Sequence, residues 1–268
     1  VKARGSIAYA HARIRGCKSR LLTRAGALPL FAAADAAAMR RVVAALELEH
    51  PMQRLLRTYA TAIRGYPHGA RLFRALLQLH EIENVKLLWR VRAGRRGKEA
   101  RERLWIDLGS LASFSGDSAG TPYEQIAETV ARVHGSDLAA AELAFDRWAS
   151  KQLLDEAQRL PRREVLAGRL VELVAGERDA EIVRRGAKWY GLTSVSGPAA
   201  EVVSMRRERL RLCRRAFVGS PFLLAPAVAV ILLAEEEVRA VRALRERQGD
   251  ESLDPPLERA LAGSQLGA

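Results

Sequence analysis

The sequence predicts an all-α protein, and three observations carry that expectation. Ala and Leu dominate, while aromatic residues make up only 6% of the chain. Alternating runs of Val, Ile, Thr and Tyr, the mark of half-buried strands, are absent. Apolar residues instead recur at three- and four-residue spacing in segment after segment. At 268 residues, with 49% apolar and 28% charged side chains, the chain is long enough for one large domain or two to three small ones, each with a core.

Ile7 to Arg24 reads as the first helix, with Ile7, Ala10, Ile14, Cys17 and Leu21 on one side. Ala27 to Leu48 and Pro51 to Gly65 are further helical stretches, with Pro51 suited to a first turn. Gly65 to Gly69 is a loop, and Ala70 to Arg92 is a helix ending near Gly94. Leu108 to Pro122 is rich in Gly and Ser and reads as a connection. Helices follow at Tyr123 to Val133, at Leu138 to Leu160 with Asp137 as its cap, and at Arg162 to Trp189. After a second connection, Thr193 to Ala200, comes a basic helix from Glu201 to Phe217, then an apolar segment turning charged from Ser220 to Gln248. The tail holds Asp254-Pro255-Pro256 and one short helix.

A weak signature recurs: an acid, three residues, Val, then a base. It appears at Glu81…Val85-Lys86, Asp179…Val183-Arg184 and Glu237…Val241-Arg242, each time after an apolar helical stretch. Glu, Val and Arg are also common helix residues, but recurrence at the same place suggests three related lobes. Their expected bounds are 1–112, 113–195 and 196–268.

The net charge is +13, with 44 Lys and Arg against 31 Asp and Glu. Such a charge speaks to partners (nucleic acid, anionic lipid or an acidic protein surface) and not to fold. Only six of the basic residues are Lys, a skew that also fits a GC-rich coding sequence. Cys17 and Cys213 lie far apart, and the five histidines show no ligand spacing. Neither a disulfide framework nor a metal site is expected, and no cofactor is implied. The N-terminal segment is too interrupted by Arg and Lys for a signal peptide.

Gly116-Asp117-Ser118-Ala119-Gly120 matches the G-x-S-x-G nucleophile elbow. That motif carries meaning only between a buried strand and a helix, with an acid and a His well downstream. The one later histidine is His134, inside a helical stretch, so a flexible linker is the better reading. Ala216 to Ala234 is nineteen residues without a charge, a membrane span by length alone. Pro221 and Pro226 interrupt it, and a buried core helix has the same appearance. Basic clusters occur at residues 1–24, Arg90 to Arg103 and Arg206 to Arg215, without a nucleic-acid-binding signature or interleaved aromatics. No phosphate loop of the G-x-x-x-x-G-K type is present.

Leu76 to Arg90, "LLQLHEIENVKLLWR", poses the sharpest question. On a helical wheel Glu83 falls with Leu72, Leu76, Leu79 and Leu87, so a carboxylate is expected on a packed face, where it needs a partner or a cavity.

Tyr9 to Leu22, "YAHARIRGCKSRLL", resembles the start of the central-stalk subunit of rotary ATPases of the vacuolar/archaeal type, called d in vacuolar enzymes and C in archaeal and bacterial ones. Tyr9, Ala12, Arg13, Arg15, Lys18, Ser19, Leu21 and Leu22 carry that opening pattern. "HEIENVKLLWR" resembles the family's acid-x-acid-Asn-x-Lys helix, Ala141 to Leu154 the opening of its second lobe, and Arg209 to Gly249 its C-terminal lobe. The Asn of the first repeat is Asn84; its counterparts are Ile182 and Ala240, and the chain is shorter than the family pattern.

The resemblance implies three similar helical lobes in a pseudo-threefold, funnel-like arrangement. It implies a non-catalytic rotor adapter on the cytoplasmic face of the membrane, joining the shaft to the proteolipid ring and transmitting torque between ATP turnover and proton or sodium transport. Expected partners are the shaft subunits and the ring, with an anionic membrane surface as a further candidate and the chain a monomer within a hetero-oligomer; nucleic acid is not expected. Glu81, Glu83, Asn84, Lys86, Arg90, Asp179, Arg184, Glu237 and Arg242 are the candidate socket or lobe-seam residues. Arg13, Arg15, Lys18 and Arg20 are the candidates for the ring or headgroup side. The alternatives are a basic helical scaffold or nucleic-acid-binding protein outside the ATPase, or an integral membrane protein.

Overall fold

A computed structural model describes residues 2–21, 51–94, 108, 120–135, 137–190, 199–220 and 222–246. Among them no strand occurs and 86% lie in helices, so the all-α expectation holds. The helices are α1 (Lys2–Ser19), α2 (Pro51–Gly65), α3 (Ala70–Arg92), α4 (Glu124–His134), α5 (Leu138–Gln158), α6 (Val165–Tyr190), α7 (Ala199–Ala216) and α8 (Ala225–Glu246), with 3-10 turns at Pro67–Gly69 and Arg162–Glu164. The expected helix from Ala27 to Leu48, most of the Leu108 to Pro122 connection with Ser118, residues 193–198 of the second connection, the tail and both expected lobe boundaries lie outside the described residues.

Local chemistry explains the element ends. Pro51 opens α2, where its missing N–H costs nothing. The Asp137 carboxylate accepts from the Ala140 N–H at 3.0 Å and caps α5, as its position predicts. Gly135 ends α4 at φ 54°, a conformation that costs a side chain strain. α1 stops at Ser19, short of the expected Arg24; there Arg54 Nη1 donates to the Arg20 carbonyl at 3.1 Å and satisfies an acceptor the helix leaves open. α8 begins at Ala225, later than Ser220, because Pro226 is tolerated only in the first turn of a helix.

The chain divides into two compact units. The first comprises Val1–Ala70, Pro161–Leu170 and Arg206–Ala268. Its core is α1, α2 and α8 packed on one another. Ala10 and Ile14 from α1, Leu55, Tyr59 and Ala62 from α2, and Val228 to Leu232 from α8 are all buried. Fully burying a side chain such as Leu55 or Ile231 contributes about 1.5–3 kcal/mol. Gly65 lets α1 and α2 approach: a Cβ there would lie 2.4 Å from Ala10 Cβ. Every residue from Leu224 to Glu237 is buried, so this part of α8 is enclosed on all sides. No helix among the described residues is long and apolar enough to cross a membrane.

The second unit comprises Arg71–Leu160 and Val171–Met205. Within it α4 packs on α5. Ala141, Phe145, Ala149 and Leu153 form an i, i+4 stripe on α5. Trp89 meets Phe145 edge-on with ring centroids 5.5 Å apart, and Tyr123 meets Trp148 in the same way at 5.6 Å.

Candidate functional site

Each unit contains a buried network of charged side chains, and Glu83, Lys86 and Glu237 among the sequence-predicted residues belong to them. In the first unit the apolar run of α8 gives way directly to Glu235, Glu236 and Glu237, all buried. Consecutive helix residues point about 100° apart, so three in a row demand partners on more than one side. The chain supplies them from two other helices. Tyr59 Oη on α2 donates to Glu235 at 2.7 Å, and Arg54 Nη2 donates to Glu237 at 2.7 Å. Arg209 Nη2 on α7 donates to Glu236 at 2.6 Å, Arg206 pairs with the same carboxylate, and Arg239 reaches it from the next turn of α8 at 3.0 Å. Arg206 and Arg209 lie three apart, on one face of α7.

Electrostatics follow from this geometry. Burial alone would push the Glu236 carboxyl up; the guanidinium groups of Arg209, Arg239 and Arg206 outweigh it and hold the carboxyl down at about 2. Burial and then the adjacent Glu235 charge push the Tyr59 phenol well above its ordinary value, so it stays a donor.

In the second unit the network is built around a cation. Lys86 Nζ on α3 is buried and donates to Glu83 at 2.7 Å and to both oxygens of Asp146 on α5 at 3.0 and 3.1 Å. Arg178 on α6 also donates to Asp146, at 2.6 Å, and stands 3.7 Å from Glu83. Beside it Arg90 grips Glu142 through two hydrogen bonds of 2.6 Å each. Glu81, fully buried, accepts from Tyr123 Oη at 2.9 Å. Burial and then Glu81 raise the Tyr123 phenol well above its ordinary value.

The expectation placed Glu83 on the packed face, but its side chain is 40% exposed, whereas Glu81, Asn84 and Lys86 are buried. α3 is buried round most of its circumference, so a wheel built on four leucines does not single out one inner face. The structure brings Glu83 and Lys86 together, sends Arg90 to Glu142 and Glu81 to Tyr123, and places Glu237 in the other unit's network. Asp179 is exposed on α6 beside a groove lined by Arg147, Leu154 and Ile182, and Arg184 pairs with Glu181 on the exposed surface. The acid-Val-base signature thus marks a buried acid in two helices and an exposed one in the third. The side chain of Arg242 lies outside the described residues.

On α1, Arg13 stacks over the Tyr9 ring at 5.9 Å and Lys18 over the Phe217 ring at 4.2 Å. Arg15 donates to His11 and to the Phe217 carbonyl, both at 3.0 Å, and Arg20 is exposed. Burial, then Arg15, lowers the His11 pKa from its ordinary value.

Sequence reading missed Asp146, Arg178, Tyr123, Tyr59, Arg54, Arg206, Arg209, Glu235 and Glu236 as network members. For the first unit a signal existed: three acids straight after an apolar run, and two arginines three apart on one helix. For Asp146 and Arg178 no local pattern distinguishes them from surface charges. Among the described residues no group of three or more His, Cys, Asp or Glu stands where it could hold a metal. No family model, no curated protein and no solved structure matches the chain.

Proposed function

We propose that this chain is the rotor adapter of a vacuolar/archaeal-type rotary ATPase, joining the central shaft to the membrane proteolipid ring and carrying torque between them. The observation that carries the reading is the meeting of its two most family-like blocks. Tyr9 to Leu22 and Arg209 to Gly249 belong to the expected first and third lobes. They pack in one unit, with Arg15 bonded to the Phe217 carbonyl across 202 residues of sequence. A ring of three lobes would bring its first and last members into contact, and this contact supports the reading on that ground.

The ion networks fit a torque-bearing part. A buried, mutually satisfied pair holds helices in register and resists shear, because separating it strands a charge in a poor solvent. Residues whose charges are buried inside the chain are unavailable to a shaft, whereas exposed ones remain reachable even where a neighbour on the same helix pairs with them. On this reading the socket contacts fall to the open rim: Glu83 and, on α6, Asp179 and Arg184. Each rim contact contributes about 0–1 kcal/mol and mainly sets orientation, so many must act together.

The test is capture of the tagged protein from gently solubilised native membranes, with partners identified by mass. Recovery of a small proteolipid with ATPase head and shaft subunits is expected. Recovery of nucleic acid alone, with the membrane ATPase left in the flow-through, would overturn the reading. It would favour the second candidate, a basic helical nucleic-acid-binding protein, which the +13 net charge keeps in view and which a steep salt dependence of binding would mark.

A further inference from the structure

We propose that the loop between α7 and α8 is a membrane-surface anchor that inserts Val218 and Phe222 into the headgroup region of an anionic lipid bilayer. Few large apolar side chains are exposed among the described residues, and Val218 at 88%, Val165 at 74% and Phe222 at 45% are three of them. Val218 and Phe222 share one loop, and the turn carrying Val165 is bonded to the end of that loop. The Glu164 carboxylate accepts from the Leu224 N–H at 2.8 Å, which ties the turn carrying Val165 to the far end of the loop. At the near end, Arg15 from α1 holds the Phe217 carbonyl at 3.0 Å and Lys18 covers the Phe217 ring.

The tip is held by its own bonds as well. The Val218 N–H donates to the Arg215 carbonyl at 3.1 Å, and the Leu223 N–H donates to the Ser220 carbonyl at 3.3 Å. A side chain presented on an ordered turn loses little freedom on insertion, which favours binding.

Charge names the occupant. Arg214 and Arg215 close α7 just before the loop, and Arg162 and Arg163 are exposed in the turn before Val165. From Arg209 to Leu224 there is no acidic residue, and residues 1–24 contain none either. The Glu164 carboxylate at the site is buried and engaged with the loop backbone. Apolar tips ringed by Arg and Lys suit a bilayer of anionic lipid, in which the tips leave water while the cations meet phosphate and carboxylate. A nucleic acid would use the cations but gives Val218 and Phe222 nothing to enter. No helix is required to span the bilayer, in keeping with the described helices.

This inference stands apart from the rotor reading. Protein-free vesicles contain neither shaft nor ring, so either proposal can fail while the other survives. The purified full chain is mixed with vesicles of phosphatidylcholine containing about 30% phosphatidylserine, and with pure phosphatidylcholine vesicles, and bound protein is measured by co-sedimentation. Binding to the anionic vesicles alone is expected, weakening several-fold as salt rises from about 0.1 to 0.5 M. The double substitution Val218→Asp with Phe222→Asp lowers vesicle affinity at least ~tenfold, and Arg214→Glu with Arg215→Glu does the same. If the double loop variant folds poorly, Val218→Ser alone, at the most exposed position, lowers affinity about threefold. Equal binding to both vesicle types, no binding to either, or loop variants that bind like the parent would overturn the proposal. So would duplex DNA binding that charge reversal abolishes, with no vesicle binding beside it.

Discussion

The two buried networks solve opposite problems. In the first unit an anion sits at the centre: the Glu236 side chain is 1% exposed and Arg209 opposite it 2%. In the second a cation does, with Lys86 2% exposed, but its outer partners Glu83 and Arg178 remain 40% and 21% exposed. The Glu236–Arg209 pair at the heart of the first network is sealed, so each of those two charges depends on a protein partner, although the outer partners Arg206 and Arg239 are 20% and 53% exposed. The second opens on one side, where water or another chain can replace a lost contact. Depth therefore separates a structural fastening from a surface that is free to recognise something.

Removal of one partner from the sealed network is the harshest way to examine that contrast. Glu236→Gln leaves Arg209 buried without its counter-charge and is expected to cost about 3–5 kcal/mol in urea unfolding. A loss below about 1 kcal/mol would mean that the network is not sealed.

Acid probes the same carboxylate without mutation. Its pKa is held at about 2, against an ordinary 4.5. Protonation thus favours the unfolded chain: the stabilisation is complete above about pH 4.5 and is lost as pH falls toward 2. The contribution is about 3 kcal/mol. It is read as the difference in acid sensitivity between the parent and Glu236→Gln, and identical acid profiles would contradict it.

Lys86→Met should cost less, about 1–3 kcal/mol, because Asp146 keeps its 2.6 Å bond to Arg178. A loss equal to that of Glu236→Gln would erase the distinction between open and sealed. Tyr59→Phe and Tyr123→Phe each remove one donor from a buried carboxylate and are expected to cost about 1–2 kcal/mol apiece by thermal unfolding. The two values sharpen the comparison if the Tyr59 change costs more. Arg184→Ala, on the exposed third copy of the signature, should change stability by less than about 0.5 kcal/mol.

Much of the helical layout was legible. α2 and α3 fall on the bounds read from the sequence, and Asp137 caps α5, because caps, prolines and amphipathic spacing are local signals. Partner choice was less legible. Lys86 was named as a site residue, but its partner Asp146 lies 60 residues away, on a helix that offers several other carboxylates. Glu83 was placed inside because a helical wheel knows only the direction of a side chain; whether that direction meets protein or water is decided by other helices. Glu235 and Glu236 follow an apolar run and look like its charged flank, but they are that run's continuation into the core.

The sealed network also sets the order in which the chain can become itself. Arg54 and Tyr59 wait for partners 183 and 176 residues downstream. During synthesis the residues of the second unit have all been added by Met205, before any part of α8 has been made. The first unit's helices α1 and α2 must then stand with their inner faces uncovered until the C-terminal segment arrives. Closing contacts of such long sequence separation is slow. A ribosome stalled before Glu235 would therefore display an unfinished, sticky N-terminal surface, the kind of nascent chain that chaperones shield.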